Sequence, residues 1–337
     1  MVEGGTGLST VPQIALVGCG YWGKNLCRNF QVLGALSKVI DATENGQATA
    51  RSIAPNSIIS DNFDDILGDD QIQGVALATP AETHAELAMQ TMRAGKDVFV
   101  EKPMALSISD AEAMQKVAIE TGRILMVGHL LEYHPAVLKL RELIDSGELG
   151  KINYIYSNRL NFGKVRTEEN ALWSFAPHDV AVILRLLGQS PIEVSAIGGA
   201  YLTKGIADVT VSNLQFSDNS RAHIFVSWLH PYKEQRLVVV GDKKMAIFND
   251  IAAYGEKLQL YPQRVEFDGN VPVLKKENAE FISHADTEPL LQECAHFLEC
   301  MKSRNKPLTC AQSGIEVLKV LQACQSSIEQ NGVPISL

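Results

Sequence analysis

The stretch IALVGCGYWG, at residues 14–23, decides how the first third of this chain folds. Its four leading apolar residues predict a short buried strand, and Gly18, Gly20 and Gly23 form a G-x-G-x-x-G turn. Apolar residues then recur at helical spacing over 26–33, so a helix begins directly after the turn. This order of strand, glycine turn and helix predicts a site for the pyrophosphate of a dinucleotide.

An acidic residue stands where such a site requires one. The second predicted strand, at 38–40, ends at Asp41. A carboxylate at that point accepts hydrogen bonds from the adenosine ribose and repels a 2′-phosphate, which favours NAD over NADP. We therefore assign the three glycines, Asp41 and the turn residues Tyr21 and Trp22 to the cofactor.

The rest of the first third alternates strands with helices. Four more strands are predicted at 57–59, 75–78, 97–100 and 124–127, with helices at 82–94 and 110–121 between them. Ser109 and Glu112 have the spacing of a capping box for the second of these helices. The alternation predicts an α/β fold, a doubly wound parallel sheet of the Rossmann type.

After about residue 128 the pattern changes. Helices at 136–146 and 177–187 flank a strand at 152–160, five or six strands follow over 192–268, and helices at 287–302 and 311–329 end the chain. This order predicts an α+β domain with a mostly antiparallel open sheet. We expect a flexible leader at 1–11, a NAD-binding domain at 12–128 and a substrate-binding and oligomerisation domain at 129–337.

Composition excludes several classes of protein. The 337 residues are 46% hydrophobic and 20% charged, as in globular proteins, and no apolar stretch reaches the ~20 residues of a membrane span. A net charge of −9 without a basic run argues against nucleic acid as a partner. The six cysteines show no pairing pattern and the eight histidines no ligand spacing, so we expect a cytoplasmic protein without a metal.

Polar residues end the strand at 97–100, at the sheet edge where open α/β sheets bind ligands. The sequence there is VFVEKP, which places Glu101 and Lys102 at this edge as candidate contacts to the cofactor. Thr79, Pro80 and His84 follow the preceding strand, and we expect them near the nicotinamide side of the cofactor. A strand simply reaching solvent is the alternative explanation for Glu101 and Lys102.

A second polar group interrupts the strongly apolar helix predicted at 177–187. Pro177 suits a first helical turn, which would place His178 at the positive end of the helix dipole. That position disfavours the imidazolium and keeps the ring neutral, as a general base requires. Asp179 reads as a first-turn charge that suits the dipole, and a histidine satisfied within the core is the alternative for His178.

These motifs together resemble the Gfo/Idh/MocA oxidoreductase family from about residue 12 to the C-terminus. The resemblance is carried by GCGYWG, by ATPAETH at 78–84, by VEKP and by the His-Asp pair. It implies NAD bound between a Rossmann domain and a substrate domain whose open sheet packs on another subunit. Lys102 and His178 match the family's catalytic lysine and histidine. Ser174 stands where many members have an aspartate.

Within that family, the segments GHLLEYHPAV at 128–137 and SNRLNFGKVRTEENALWSFAPHD at 157–179 are similar to the nucleotide-sugar 3-dehydrogenases. A UDP-sugar requires cations for its phosphates, and Arg159 and Arg166 are the candidates. Tyr133 and Trp173 are candidates for stacking on uracil or sugar, with core packing as the alternative. His178 would contact the sugar itself.

The resemblance therefore implies NAD-dependent oxidation at C3 of UDP-N-acetylglucosamine, feeding 3-amino sugar synthesis for surface glycans or lipid A. It also implies a homodimer or homotetramer. Three alternatives stay open: the corresponding uronic acid as substrate, reduction of a 3-keto nucleotide sugar, and a NAD-sensing regulator without chemistry.

Overall fold

The computed structural model describes residues 11–163 and 165–337 of the chain. The expected leader at 1–11 lies outside the described residues except for Val11. The chain forms two compact units. The first runs to Gly128 and resumes at Leu290–Gln312, and the second comprises His129–Pro289 and Ser313–Leu337.

The first unit begins with alternating strands and helices. They are β1 (Ile14–Val17), α1 (Gly23–Val32), β2 (Leu36–Ile40), α2 (Glu44–Ile53), β3 (Ile58–Ser60), α3 (Asp64–Leu67), β4 (Gly74–Leu77), α4 (Ala81–Arg93), β5 (Asp97–Glu101), α5 (Ile108–Thr121) and β6 (Leu125–Gly128). Within the described residues, these strands form a six-stranded parallel sheet in the order β3-β2-β1-β4-β5-β6. The predicted doubly wound parallel sheet is confirmed.

The order of the strands locates a ligand crevice. It reverses between β1 and β4, and open α/β sheets bind ligands outside the carboxyl ends of the strands at such a reversal. All four residues of β1 and of β4 are buried, as expected for a parallel sheet covered on both faces. The glycine turn follows β1 and Thr79 follows β4 shortly after, so both lie at this edge.

The second unit is built mainly from strands. It contains a 3₁₀ turn (Leu130–Tyr133), α6 (Pro135–Asp145), β7 (Ile152–Phe162), α7 (Ala171–Leu187), β8 (Glu193–Gly199), β9 (Val209–Gln215), β10 (Arg221–Ser227), β11 (Leu229–Gly241), β12 (Met245–Asn249), a second 3₁₀ turn (Tyr254–Glu256), β13 (Leu258–Tyr261), β14 (Arg264–Asp268), β15 (Val271–Lys275) and β16 (Glu280–Phe281). The chain ends with α8 (Pro289–Ser303), α9 (Ala311–Glu329) and β17 (Ile335–Ser336).

The large sheet of this unit confirms the predicted, mostly antiparallel architecture. Among the described residues it has nine strands in the order β16-β13-β12-β11-β7-β10-β9-β8-β17, with β7 and β10 parallel and the other neighbours antiparallel. One face carries the apolar core under α7, which packs on β7, β9 and β10. Strands β14 and β15 pair with each other as a separate hairpin.

Helix α8 belongs to the first unit, whereas the sequence analysis assigned it to the second domain. Its Phe297 packs edge-on against Phe30 of α1 and Phe99 of β5, with ring centroids 6.4 and 5.9 Å away. Arg304, just after α8, holds Asp97 of β5 with a two-point hydrogen bond. These are long-range contacts, and a linear pattern of apolar residues does not reveal them.

Two helix starts differ from the predictions. The side chain of Ser107 accepts the Asp110 N–H, so α5 is capped by Ser107 and not by the predicted pair Ser109 and Glu112. Helix α7 starts at Ala171 with Asn170 as its cap, and Pro177 lies inside it. No helix within the described ranges is long and apolar enough to cross a membrane.

Candidate functional site

The glycine turn is packed on two sides and open on the third. Gly18 has φ +90°, and a Cβ there would lie 2.7 Å from the carbonyl oxygen of Ala78. A Cβ on Gly23 would lie 2.0 Å from the oxygen of Gly18, so both positions require glycine. A Cβ on Gly20 would meet no atom within 4 Å. The backbone at Gly20 therefore faces open space, as the approach of a pyrophosphate requires.

Asp41 is fixed as a carboxylate at the end of β2. One carboxylate oxygen accepts the Cys19 N–H at 2.6 Å, and the other accepts the N–H and hydroxyl of Thr43 at 2.8 and 2.7 Å. Burial opposes ionisation, but these hydrogen bonds lower the pKa of Asp41 below its usual value. An ionised carboxylate beside the glycine turn fits the ribose of NAD, and it disfavours a 2′-phosphate.

The turn is tied to β5 through Trp22. Its indole N–H donates to a carboxylate oxygen of Glu101 at 2.5 Å, and the other oxygen accepts the Lys102 N–H at 3.2 Å. Burial raises the pKa of Glu101 to about 7, although Trp22 and Lys102 lower it. Tyr21 is 89% exposed, with the Lys24 ammonium 5.4 Å from its ring centroid. Trp22 and Glu101, both predicted as cofactor contacts, are joined to each other by a hydrogen bond.

His84 braces two loops and does not line the crevice. It is 1% exposed, and its ring nitrogens lie 2.9 Å from the carbonyl oxygens of Thr79 and Pro103. The prediction of a cofactor contact at His84 is therefore corrected, because its ring atoms are used within the protein. Thr79 itself is half-buried beside Thr83, and Pro80 is exposed at the start of α4.

Lys102 comes directly after β5 and is half-buried. Both of its neighbours in the chain are held by hydrogen bonds, because Glu101 accepts one from Trp22 and the Pro103 carbonyl accepts one from His84. Glu101 also pairs in register with Gly128 of β6, where a Cβ would lie 3.0 Å from the Glu101 carboxylate. The backbone that carries Lys102 is thus anchored at the carboxyl end of the sheet.

In the second unit, His178 lies on α7 at a half-buried position. Its neighbours Pro177, Asp179 and Val180 are buried. Since α7 starts at Ala171, His178 is about two turns inside the helix. The expectation that it lies at the positive end of the helix dipole is wrong, because that dipole acts within the first turn.

Asp179 is a buried partner of β7, and the prediction of a first-turn charge is wrong. Its carboxylate accepts from Arg159 at two points, at 2.7 and 3.0 Å, and from the Ser157 hydroxyl at 2.6 Å. Burial lowers the pKa of Arg159, but the Asp179 carboxylate more than compensates and raises it above its usual value. Arg159 therefore does not offer its guanidinium to a phosphate as predicted. An acidic residue in an apolar helix signals such a partner, because buried charges are normally paired.

The other predicted substrate contacts are also engaged within the protein. Arg166 pairs with Glu168 and Glu169, at 3.5 and 3.0 Å, with its side chain 37% exposed. The Trp173 indole donates to Gln325 at 3.3 Å, and its ring packs against the core. Tyr133 is 3% exposed, which corrects the prediction of a stacking surface there.

Glu132 is a buried acid that was not predicted from the sequence as a functional residue. Glu132, in the first 3₁₀ turn, is 3% exposed, and the nearest cation is Arg185 of α7 at 3.9 Å. Burial raises the pKa of Glu132 to about 8, although Arg185 lowers it. No group of three or more His, Cys, Asp or Glu side chains suited to a metal ion occurs in the described part of the chain.

Two family models match the chain. The oxidoreductase family GFO/IDH/MocA, described as a NAD-binding Rossmann fold, matches residues 13–129. The GFO/IDH/MocA C-terminal domain matches residues 137–247. Together the two matches cover most of both units.

Three of the curated relatives have names that refer to sugars or polyols. A 2,7-anhydro-N-acetylneuraminate hydratase of Mediterraneibacter gnavus is 29% identical, over 68% of this chain and 65% of that relative, just under two thirds of its length. A scyllo-inositol 2-dehydrogenase of Bacillus subtilis is 26% identical over 96% of this chain and 95% of that relative. A UDP-N-acetylglucosamine 3-dehydrogenase of Acidithiobacillus ferrooxidans is 25% identical over 91% of this chain and 93% of that relative. A solved structure of a UDP-N-acetylglucosamine 3-dehydrogenase from the same organism shares the fold, with a TM-score of 0.82. It is 23% identical and the match covers 94% of this chain and 97% of that chain.

Proposed function

This chain belongs to the GFO/IDH/MocA oxidoreductase family, and we propose that it is a NAD-dependent dehydrogenase that oxidises the C3 hydroxyl of UDP-N-acetylglucosamine. The observation that carries the proposal is the partial exposure of two side chains, Lys102 and His178, on backbone that is held in place. Each is half-buried on anchored backbone, Lys102 after β5 and His178 on α7. The similarity to a UDP-N-acetylglucosamine 3-dehydrogenase along 93% of that relative supports the choice of substrate.

The proposed chemistry divides two tasks between these side chains. The imidazole of His178 accepts the proton of the C3 hydroxyl. To the Lys102 ammonium we assign the stabilisation, through a hydrogen bond, of negative charge that develops on the substrate. NAD, when bound, takes up the hydride that leaves C3. Gly20 and the ionised Asp41 fit that cofactor, as described above.

The diphosphate of the substrate needs a cation, and we assign this role to Arg166. Arg159 is excluded because its guanidinium is used by Asp179. The ion pairs of Arg166 with Glu168 and Glu169 are partly exposed, and ion pairs in contact with solvent contribute little, about 0–1 kcal/mol. A phosphate can therefore replace these carboxylates at small cost.

We also propose a homo-oligomer formed through the open face of the large sheet. Tyr154, Tyr156, His223 and Phe225 alternate along β7 and β10 with residues of the apolar core, so their side chains point away from it. Tyr156 and His223 already stack, with centroids 5.2 Å apart. None of the six cysteines, all of which lie in the described part of the chain, forms a disulfide, and this supports the proposal of a reducing, cytoplasmic location.

The first test is absorbance of reduced nicotinamide after mixing protein, NAD⁺ and UDP-N-acetylglucosamine, with a carbonyl trap to draw the equilibrium. Lys102→Ala and His178→Ala should each lower kcat by about 10²- to 10⁴-fold, as loss of a general acid–base group does. NAD⁺ affinity should change little in His178→Ala. Matched controls are Lys116→Ala, on the exposed face of α5, and His230→Ala, on β11; both should keep wild-type turnover.

The substrate is decided by the same assay. A signal with the corresponding uronic acid or with scyllo-inositol, and none with UDP-N-acetylglucosamine, would replace the substrate and keep the chemistry. A signal from NADH and a 3-keto nucleotide sugar alone would assign the reductive direction. Binding of NAD⁺ without turnover of any of these compounds would indicate a sensor. Wild-type kcat in both active-site variants would refute the roles of Lys102 and His178.

A further inference from the structure

The residue after His178 fixes α7 to the sheet. We propose that Asp179, together with Arg159 and Ser157 of β7, positions His178 by setting the rotation of α7, an inference that rests on the proposed function. Asp179 is 2% exposed in the middle of a helix that is otherwise mostly apolar. It does not contribute to helix capping, because the cap of α7 is Asn170.

Pro177 explains why α7 needs such an anchor. Proline has no N–H, so the helical hydrogen bond from residue 177 to the carbonyl of Trp173 cannot form. Helices bend where a proline interrupts their ladder. The missing hydrogen bond lies one residue before His178. The helix is therefore weakened at the point that orients the imidazole, and contacts from outside the helix are needed to hold it there.

The anchor is well suited to fix a direction. Arg159 meets Asp179 with its Nε and one terminal nitrogen, and a two-point contact of this kind fixes the carboxylate in the guanidinium plane. The Ser157 hydroxyl adds a third bond. Ser157 and Arg159 are two residues apart on one face of β7, which lies between β11 and β10 in the sheet. Asp179 is thus held by a strand with partners on both sides.

A rival role for Arg159 is direct contact with a substrate phosphate. The geometry disfavours it, because the Arg159 side chain is 11% exposed and its fork is occupied. The two roles also predict different kinetics. Loss of a phosphate contact raises KM for the nucleotide sugar, whereas a misdirected base lowers kcat at saturation.

The experiment compares Asp179→Asn with Asp97→Asn. Asp97 is an equivalent buried carboxylate, 3% exposed, held at two points by Arg304 within the first unit. Both substitutions weaken a two-point ion pair, so both should lower the melting temperature, Asp97→Asn by the smaller amount because the Arg304 side chain is 41% exposed. Only Asp179→Asn should lower kcat, by about 10- to 100-fold, because a shift near 1 Å in a reacting group has this effect. KM for UDP-N-acetylglucosamine should stay within a few-fold.

Two further variants make the test decisive. Arg159→Lys keeps the charge and removes the fork, and it should lower kcat as Asp179→Asn does. A raised KM with unchanged kcat in Arg159→Lys would instead assign Arg159 to the substrate and overturn the proposal. Ser157→Ala removes one bond and should lower kcat by a smaller factor. It replaces Asp179→Asn in the test if that variant does not fold.

The inference and the proposed function fail in different ways. Wild-type kcat in His178→Ala would remove the proposed function and the inference with it. An inactive His178→Ala, combined with equal kcat values in Asp179→Asn and Asp97→Asn, would overturn the positioning role alone.

Discussion

Glu101 is a carboxyl group whose ionisation the folded chain opposes. Its pKa in the folded state is about 7, against an ordinary value of 4.5, because the group is buried. Between these values the folded state binds more protons than the unfolded state. The free energy of unfolding therefore falls as pH rises from about 4.5 to about 7, and this contribution is constant above that range.

Glu101→Gln removes this titration and keeps an oxygen that can accept from Trp22. We expect its free energy of unfolding, relative to wild type, to rise by about 2–3 kcal/mol between pH 4.5 and pH 7, at about 1.4 kcal/mol per pKa unit. Chemical denaturation followed by tryptophan fluorescence across this range measures the difference. Glu82→Gln, the same change at an exposed position on α4, should run parallel to wild type. If the pH dependence of the free energy of unfolding of Glu101→Gln also ran parallel to that of wild type, the raised pKa of the buried Glu101 carboxyl would be contradicted.

At the scale of elements, the glycine turn separates folding from cofactor binding. Gly18 and Gly23 are required by the fold, because a Cβ at either would overlap backbone atoms. Gly20 has open space around it and no positive φ, so alanine fits there without strain. The function of Gly20 should therefore be the close approach of the cofactor.

Gly20→Ala should weaken NAD⁺ binding by about tenfold, or about 1.4 kcal/mol, with no loss of stability. Gly18→Ala should lower the free energy of unfolding by about 2 kcal/mol or more, because of its positive φ and the overlap with Ala78. Titration of Trp22 fluorescence and thermal unfolding measure the two effects. Unchanged NAD⁺ affinity in Gly20→Ala would show that the cofactor does not pass this part of the turn.

Helix α7 shows how an element can be recognised and still be misplaced. The apolar periodicity after Pro177 predicts a helix correctly. Proline is favoured in a first turn, and so the pattern suggests a start at Pro177. The actual cap, Asn170, is seven residues earlier, and packing on β7 and β10 maintains the helix through the proline. Tertiary contacts here override a local preference.

At the scale of the whole molecule, the open sheet face is the feature to test. Tyr154 is 43% exposed on this face, at a central strand. Tyr154→Lys should shift the protein from dimer or tetramer to monomer, because an unpaired ammonium at the centre of an interface leaves a charge without water. Light scattering after size exclusion measures the mass. Val32→Lys, at a position on α1 that is 70% exposed, is the control and should leave the mass unchanged. A wild-type monomer would refute the assembly.

The sequence alone determined the local features of this protein. The strand at 14–17, the glycine turn, Asp41 and the alternation up to residue 128 were all predicted, because buried strands and tight turns have short-range signatures. The positions of Lys102 at a strand end and of His178 on a helix were predicted for the same reason.

Tertiary structure alone decided which polar groups meet. Arg159 and Asp179 are 20 residues apart in the chain, Trp22 and Glu101 are 79 apart, and Asp97 and Arg304 are 207 apart. From the sequence, Arg159, Asp179, Trp22 and Glu101 each looked available for a ligand or for solvent. Burial changes this outcome, because a charge or donor removed from water must find a partner, and the fold determines which partner is within reach.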